Sequence, residues 1–413
     1  MLRELHRPKA EKVDPEEIER AFVAEFGPED PDPVAAAPDA PDDEETPATK
    51  RERRKHPGRR KLPEHLERTT VEERPPAQGC CGEPMKDAGV EVFDQLDYVK
   101  AHFRVRRVLR RKLACAVRDH RVIRPGPPPD HPLERCGATV ALLAKVVVEK
   151  YDRHVPLNRQ CEEAARQDVP LSKATLCGWL SELAFVLAPI DREMRRRVAA
   201  GDRVNFDDTG IVVLDPSAPG GSRTAHVWAY LGGEGDAVFD YTPARSGAGP
   251  RAVLAGFREY AQCDAAGQHD GLFGEASGRR EVGCMAHARR YFVKAAPTDG
   301  PIAAVALAFF RRLYAIEREA KDATPDARRA LRRRRSAPLL RKFFAWAREK
   351  AKSALPKSPL GKAFGYLLRN QVALATYVKD GRLTIDNNAA ERALRTVAVG
   401  RNNWQFAGGD EGG

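Results

Sequence analysis

The sequence predicts an α/β core interrupted by a long helical insertion and preceded by smaller modules. Three observations predict it. The chain has 413 residues, 42% of them hydrophobic, enough to bury real cores but too many for one, so two to four domains are expected. From residue 203 the apolar pattern changes from helical spacing to runs that read as strands. From 285 to 380 helical spacing returns, and one more helix follows it.

The N-terminal part is read first. Residues 1–62 are expected to be mostly disordered and charged. Within them 1–27 hold a short helical pattern that starts at Val13-Asp14-Pro15-Glu16. Residues 28–46 are Pro, Ala, Asp and Glu, a composition that buries too little to fold. At 50–61 (KRERRKHPGRRK) the charge turns positive, as in a solvated tail or a non-specific phosphate binder. Residues 63–125 read as a small β-rich module, with apolar and basic residues alternating imperfectly over 101–112. A Pro-rich linker, Arg124 to Pro129, closes it.

Residues 126–199 are expected to be helical. A helix over Pro156–Gln167, a turn at Asp168–Leu171 and a second helix from Ser172 to Leu180 make a helix-turn-helix shape. Ser172 is a good N-cap. Ser172, Lys173 and Thr175 are the DNA-contact candidates, although any tight helical hairpin looks similar.

The core occupies 200–284 and 381–413, around the insertion at 285–380. Strands are read at 203–214, 223–231 and 237–242, with a Gly-Gly hairpin turn at 232–233. A helix over 250–260 and a short strand ending at Asp264 follow. Three strands, a helix and a fourth strand match the opening of a ribonuclease-H-like fold. In the insertion Ile302, Val305, Phe309, Leu313 and Ile316 share one face, and Ser358-Pro359 opens a helix. Asp386 or Asn387 caps the last helix, which carries Glu391.

The formal net charge is +11 and the pI about 9.3, which favours a polyanionic partner, nucleic acid first. The start, Met1-Leu2-Arg3-Glu4, lacks the apolar core of a signal peptide, and no stretch approaches a membrane span. A soluble cytoplasmic protein is expected, with its eight cysteines reduced.

Asp207 lies within an apolar strand, where a charge is costly unless paired or metal-bound. Asp208 faces the other way, because strand side chains alternate, and alternation alone does not say which of the two serves a site. Asp264 ends a strand and Glu391 sits in a helix. Singly, each has an ordinary explanation: a sheet edge, a turn residue, an ion pair with Arg395. Together they are the carboxylates that two-metal phosphodiester chemistry needs from separate elements.

These residues resemble the transposases of insertion sequence family 66, a DDE group with a ribonuclease-H-like catalytic core. KYDRHVPLNRQ (150–160) and LSKATLCGWL (171–180) are similar to its helix-turn-helix region. DDTGIVVLDP (207–216), LAGFREYAQCDAAGQ (254–268) and VGCMAHARRYF (282–292) are similar to its two aspartate segments and its Cys-x-x-His segment. DGRLTIDNNAAERALRTVAVGRNNWQFAGGDEGG (380–413) is close to its signature block.

The resemblance implies a DNA transposase that cleaves element ends and transfers the freed strands. Asp207, Asp264 and Glu391 are its implied catalytic residues and ligands of Mg²⁺ or Mn²⁺, which settles the choice against Asp208. Arg392, Arg395 and Arg401 are implied either to hold DNA phosphates or to support the acidic site. Cys284, His287, Asn387 and Asn388 are implied supports. The basic segments 50–61, 104–112 and Arg332–Arg335 are further DNA candidates, the last equally a solvated helix face.

This chain also departs from the family pattern. The family's zinc module has two Cys-x-x-Cys pairs, and each has lost a partner here. That leaves Cys81 and Cys115, with Cys80 and His120 nearby, as an incomplete zinc set. The chain also begins and ends short of the usual family length, so either a copy truncated at one end or the other, or an element in decay, is expected. Implied partners are element-end and target DNA, further copies of the chain on that DNA and small accessory proteins, with the protein at the nucleoid and no membrane. The rival expectations are a truncated remnant that only binds DNA and a nuclease that cuts without joining.

Overall fold

The long strand β1 (Arg203–Leu214) organises the sheet. Its β-branched and aromatic residues suit a pleated surface, with Val204, Phe206, Ile211 and Val213 buried. It pairs antiparallel with β2 (Ser222–Gly232), and β2 pairs antiparallel with β3 (Ala237–Thr242). The turn between β2 and β3 needs Gly235, whose φ of 94° lies in the left-handed region. On its other edge β1 runs parallel to β4 (Tyr260–Gln262), and β4 parallel to β5 (Arg280–Val282). The order is β3-β2-β1-β4-β5, a mixed five-stranded sheet. The helix expected over 250–260 is shorter, α5 (Ala248–Val253). β5 was not foreseen, because three residues are too few to show a period.

The computed structural model describes residues 14–27, 103, 105, 132–133, 136–265, 267–274 and 277–412. The chain divides into two units, and the described residues fall in the one formed by 1–39 and 109–413, save Phe103 and Val105. The expected module at 63–125 lies otherwise outside the described residues. So do Cys80, Cys81, Cys115 and His120, the segments 28–46 and 50–61, and all of 104–112 but Val105.

One face of the sheet carries Val204, Phe206, Trp228, Tyr230 and Val238. They pack with Leu254, Phe257 and the end of a long helix through Val198. That helix, α4 (Lys173–Ala200), follows α2 (Val140–Tyr151) and α3 (Leu157–Ala165). Ser172 caps α4, its hydroxyl accepting from the Thr175 amide at 3.1 Å. The expected helix ended at Leu180; α4 continues through Pro189 for 28 residues. By length and composition it is also apolar enough to cross a membrane, contrary to the expectation that no stretch is. Glu182 and Asp191 interrupt the apolar run in sequence, and the helix continues past both.

The insertion builds a second hydrophobic core, which Tyr260 of β4 and Val282 of β5 join. It contains α6 (Met285–Ala295), α7 (Gly300–Glu319), α8 (Pro325–Leu331), α9 (Ala337–Ala351), α10 (Pro359–Arg369) and α11 (Gln371–Ala375). Phe309 stacks on Phe343 at 4.6 Å between ring centroids. The N-terminal α1 (Pro15–Phe26) lies on α7 with Phe22 buried against Phe309, so part of the segment expected to be disordered belongs to this core.

Between α8 and α9 a single π turn runs from Arg332 to Ser336. It turns the Arg332 guanidinium inward. There the guanidinium pairs with Glu317 (2.8 and 2.5 Å) and donates to the carbonyls of Tyr377, Asp380 and Leu383. Arg335 pairs with Glu319. The expected phosphate-binding run is thus corrected at Arg332, which is an interior strut holding the loop before α12 (Asn388–Trp404).

Candidate active site

The site is built on a polar weld between sheet and α12. Asn205 on β1 donates to Gln262 Oε1 of β4 and to Asn387 Oδ1, each at 3.0 Å. Gln262 donates to the Thr384 carbonyl at 2.9 Å and accepts from the Thr384 hydroxyl at 2.7 Å. Asn387, fully buried, donates to the Phe206 carbonyl, and its backbone amide donates to Cys284 Sγ. A buried network of this kind fixes its members because each unmade bond costs on the order of 1–3 kcal/mol.

The next position along each element carries an acid. Asn205 pairs with Gln262 across the parallel strands. Asp207 and Asp264 each lie two residues further on, and strand alternation puts Asp207 on the face of Asn205. Glu391 lies one helical turn beyond Asn387 on α12. Asp207, Asp264 and Glu391 thus come from three elements into one electrostatic neighbourhood. Burial pushes the Asp207 carboxyl up to about 7. The charges of Asp264, Asp208 and Glu391 push the same way, against the donation of the Asp208 amide.

Each of the other two acids has basic neighbours. His269 Nε2 lies 3.3 Å from Asp264 Oδ1, and the His269 ring packs edge-on against Phe206 and Trp228. His287 Nδ1 and Arg290 both lie 3.6 Å from Glu391 oxygens. The Arg290–His287 contact at 3.2 Å requires His287 Nε2 to accept, so in the neutral ring the proton sits on Nδ1, toward Glu391. Burial, then Arg290, holds the His287 pKa below its ordinary value, against the pull of Glu391 and Asp264. Glu391 Oε1 is buried without a hydrogen-bond partner.

Asp208 faces the opposite side of β1 and is already neutralised. His226 Nδ1 lies 2.7 Å from it and Arg245 reaches both its oxygens at 3.0–3.1 Å.

The donor set fits a hard divalent cation in kind: three carboxylates, one crowded toward the neutral form and one with an orphaned oxygen. Among the described residues, no three His, Cys, Asp or Glu side chains close tightly enough to hold an ion.

The remaining candidates separate by environment. Arg401 donates to the Thr209 hydroxyl (2.7 Å) and the Gly210 carbonyl, bolting α12 to β1. Arg392 and Arg395 are exposed on α12, and the charge of Arg392 acts on Asp386 against the effect of its burial. Asn388 enters through its backbone, donating to Asp386 at 3.2 Å, while Asn387 occupies the N-cap position without a side-chain cap bond. Cys284 is buried at the start of α6 with its thiol pushed up to about 12, chiefly by burial. Ser172 and Thr175 spend their hydroxyls on each other at 2.9 Å, and Lys173 is exposed.

Sequence reasoning missed Asn205, Gln262, His269, Arg290 and Tyr366, whose hydroxyl donates to the Asp264 carbonyl. Only Arg290 carried a local signal, three residues after His287 on one helix face.

The family model described as Transposase IS66 family matches residues 135–413. The chain belongs to this family. Three similar proteins come from Sinorhizobium fredii, each named as uncharacterized. The protein y4hP is 30% identical over 385 residues, 87% of this chain and 69% of its own length. The protein y4jD is 30% identical over 369 residues, covering 85% and 72%. The protein y4qI is 31% identical over 375 residues, covering 84% and 67%. The match to the IS66 transposases spans α2 to the C-terminal residues, and so contains the sheet, the insertion and α12.

Proposed function

We propose that this IS66-family chain is a DDE-type transposase in which Asp207, Asp264 and Glu391 hold Mg²⁺ or Mn²⁺ and perform cleavage and strand transfer at element ends. One observation carries the reading: half-buried Asp207 lies within reach of the charges of Asp264 and Glu391, contributed by three elements far apart in sequence. The sheet order, with β1 antiparallel to β2 and parallel to β4, supports a ribonuclease-H-like core.

The reaction has two steps. Water attacks the phosphodiester at the element end, leaving a 3′-hydroxyl. That hydroxyl then attacks a target phosphodiester, forming one bond as the other breaks. A bound divalent cation would lower the pKa of the attacking oxygen and neutralise the leaving one. The chain's own residues prepare the site. The Asn205–Gln262–Asn387 weld sets the register of β1, β4 and α12. His287 and Arg290 aim Glu391, and His269 steadies Asp264. Arg392 and Arg395 offer exposed cations for phosphates, and the α3–α4 hairpin, with Lys173 at the start of α4, is the second DNA-contact element. Paired element ends imply several copies on one DNA, with accessory proteins of the same element as further partners, at the nucleoid.

Purified full chain is incubated with Mg²⁺ and duplexes carrying the DNA that flanks its own gene. Nicked ends and joined products are expected. Binding with neither product makes the chain a DNA-binding remnant, and nicks without joining make it a nuclease.

A further inference from the structure

The helical insertion carries a cavity of about 420 Å³, lined by Tyr291, Tyr366, Gly365, Lys362, Arg369 and Pro356. We propose that it takes one unpaired nucleotide of the DNA strand, its base against Tyr291 and its phosphate between Lys362 and Arg369. The inference rests on the reading of the neighbouring site as one that cuts DNA.

The cavity touches that site at two points. The Tyr366 hydroxyl donates to the Asp264 carbonyl. Tyr291 lies about one turn of α6 beyond His287, about 6 Å along the axis, and His287 Nδ1 lies near Glu391. The two tyrosines stack at 4.8 Å with 26° between their planes. Tyr366 is buried and committed, whereas Tyr291 is 36% exposed and presents its outer face. The pair is a ready stacking platform, and every base has a π-face to lay on it.

The two nearby glycines have different reasons to be there. At Gly361 a Cβ would lie 2.0 Å from the Leu355 carbonyl oxygen, so packing requires it. At Gly365 a Cβ meets nothing within 4 Å. A glycine inside a helix is less favourable than alanine, and packing does not demand this one. What it leaves is space in the cavity. Lys362 and Arg369 flank that space three residues before and four after Gly365, both exposed. Arg369 Nε holds the Gly365 carbonyl at 3.1 Å, and among the described residues no carboxylate pairs with either cation. An aromatic wall, an open floor and two cations are the parts that bind a base and its phosphate. A paired base is stacked inside a duplex and cannot enter, so the occupant must be unpaired.

The test is equilibrium binding by the full chain without divalent metal. The probes are a labelled single-stranded oligothymidylate, an abasic strand of equal length and a blunt duplex. Gly365→Leu fills the cavity and should weaken oligothymidylate binding about tenfold, the loss expected for one stacked base. It should leave the abasic strand and the duplex within about twofold, and Gly365→Ala, which keeps most of the space, should bind nearly as wild type. Replacing a helical glycine should keep the unfolding temperature at or above wild type. If Gly365→Leu does not fold, Tyr291→Ala gives the same comparison from an exposed position. The double variant Lys362→Ala/Arg369→Ala should weaken both single strands. Wild-type affinity for oligothymidylate in a folded Gly365→Leu, or equal losses on all three probes, overturns the pocket. Cutting is not part of this readout. A chain that shows these affinities and never cuts overturns the transposase chemistry and leaves the pocket standing.

Discussion

Asp207 combines burial with like charge, and its titration is the residue-scale consequence. In the folded, metal-free protein its carboxyl holds a proton up to about pH 7, while the unfolded chain releases it near 4. Between those values the folded state binds more protons than the unfolded one. This group therefore lowers stability as pH rises from about 4 to about 7, and the full penalty, on the order of a few kcal/mol, stands above 7. Asp207→Asn removes it. In metal-free thermal unfolding the variant should melt above wild type at pH 8, with the gap closing toward pH 4; equal gaps at both pH values would contradict the assignment. The same substitution should cut cleavage more than ~100-fold, since even outer-shell partners of metal ligands cost 10–100-fold. An acid inside an apolar strand made Asp207 readable as a candidate in the sequence. Its choice over Asp208 was not readable from alternation, because it depends on Arg245 and His226 closing on Asp208 from elsewhere.

At the scale of elements, α12 matters for how it is held. Its start is welded through Asn387 and its last turn is bolted through Arg401 to Thr209 and Gly210. The signature block placed three arginines together in sequence, and the structure places them differently, Arg401 bonded to β1 and Arg392 and Arg395 exposed. Arg401→Ala should lower stability by roughly 1.5–3 kcal/mol, the worth of a charged hydrogen bond, and reduce cleavage while leaving DNA affinity nearly unchanged. Arg392→Ala/Arg395→Ala should do the reverse, weakening DNA and flattening the salt dependence with little change in melting. Thermal unfolding and DNA titration at two salt concentrations decide between them. Elements with a sustained period were legible: β1 to β3, α7 and α12. β5 was not, because three residues show no alternation. The full length of α4 was not: the expected helix stopped at Leu180, and α4 runs on through Pro189, a residue that ordinarily ends a helix. Arg332 read as part of a solvated run because a fully buried arginine is rare and its partner Glu317 is supplied by tertiary packing.

For the whole molecule, sequence-distant segments finish each other's cores. Phe22 of α1 fills the insertion core against Phe309, with Arg312 lying 3.5 Å over its ring centroid. Phe22→Ala should cost about 3–5 kcal/mol in chemical denaturation; a loss under ~1 kcal/mol would mean that α1 is not seated there. That docking was not legible from the N-terminal composition, which is charged and Pro-rich just beyond the helix. The candidate site was legible as three acids, but not as the asparagine and glutamine lattice that aligns them, since amides far apart in sequence carry no periodic signal. The convergence of those acids is the central claim. Titration of Mn²⁺ into the DNA-free full chain, followed by electron paramagnetic resonance, tests it most directly. Wild type should bind the ion, Asp207→Asn, Asp264→Asn and Glu391→Gln should each weaken it at least ~10-fold, and Asp208→Asn should not. Binding at wild-type strength in any one of the three variants, folded as judged by circular dichroism, would contradict it.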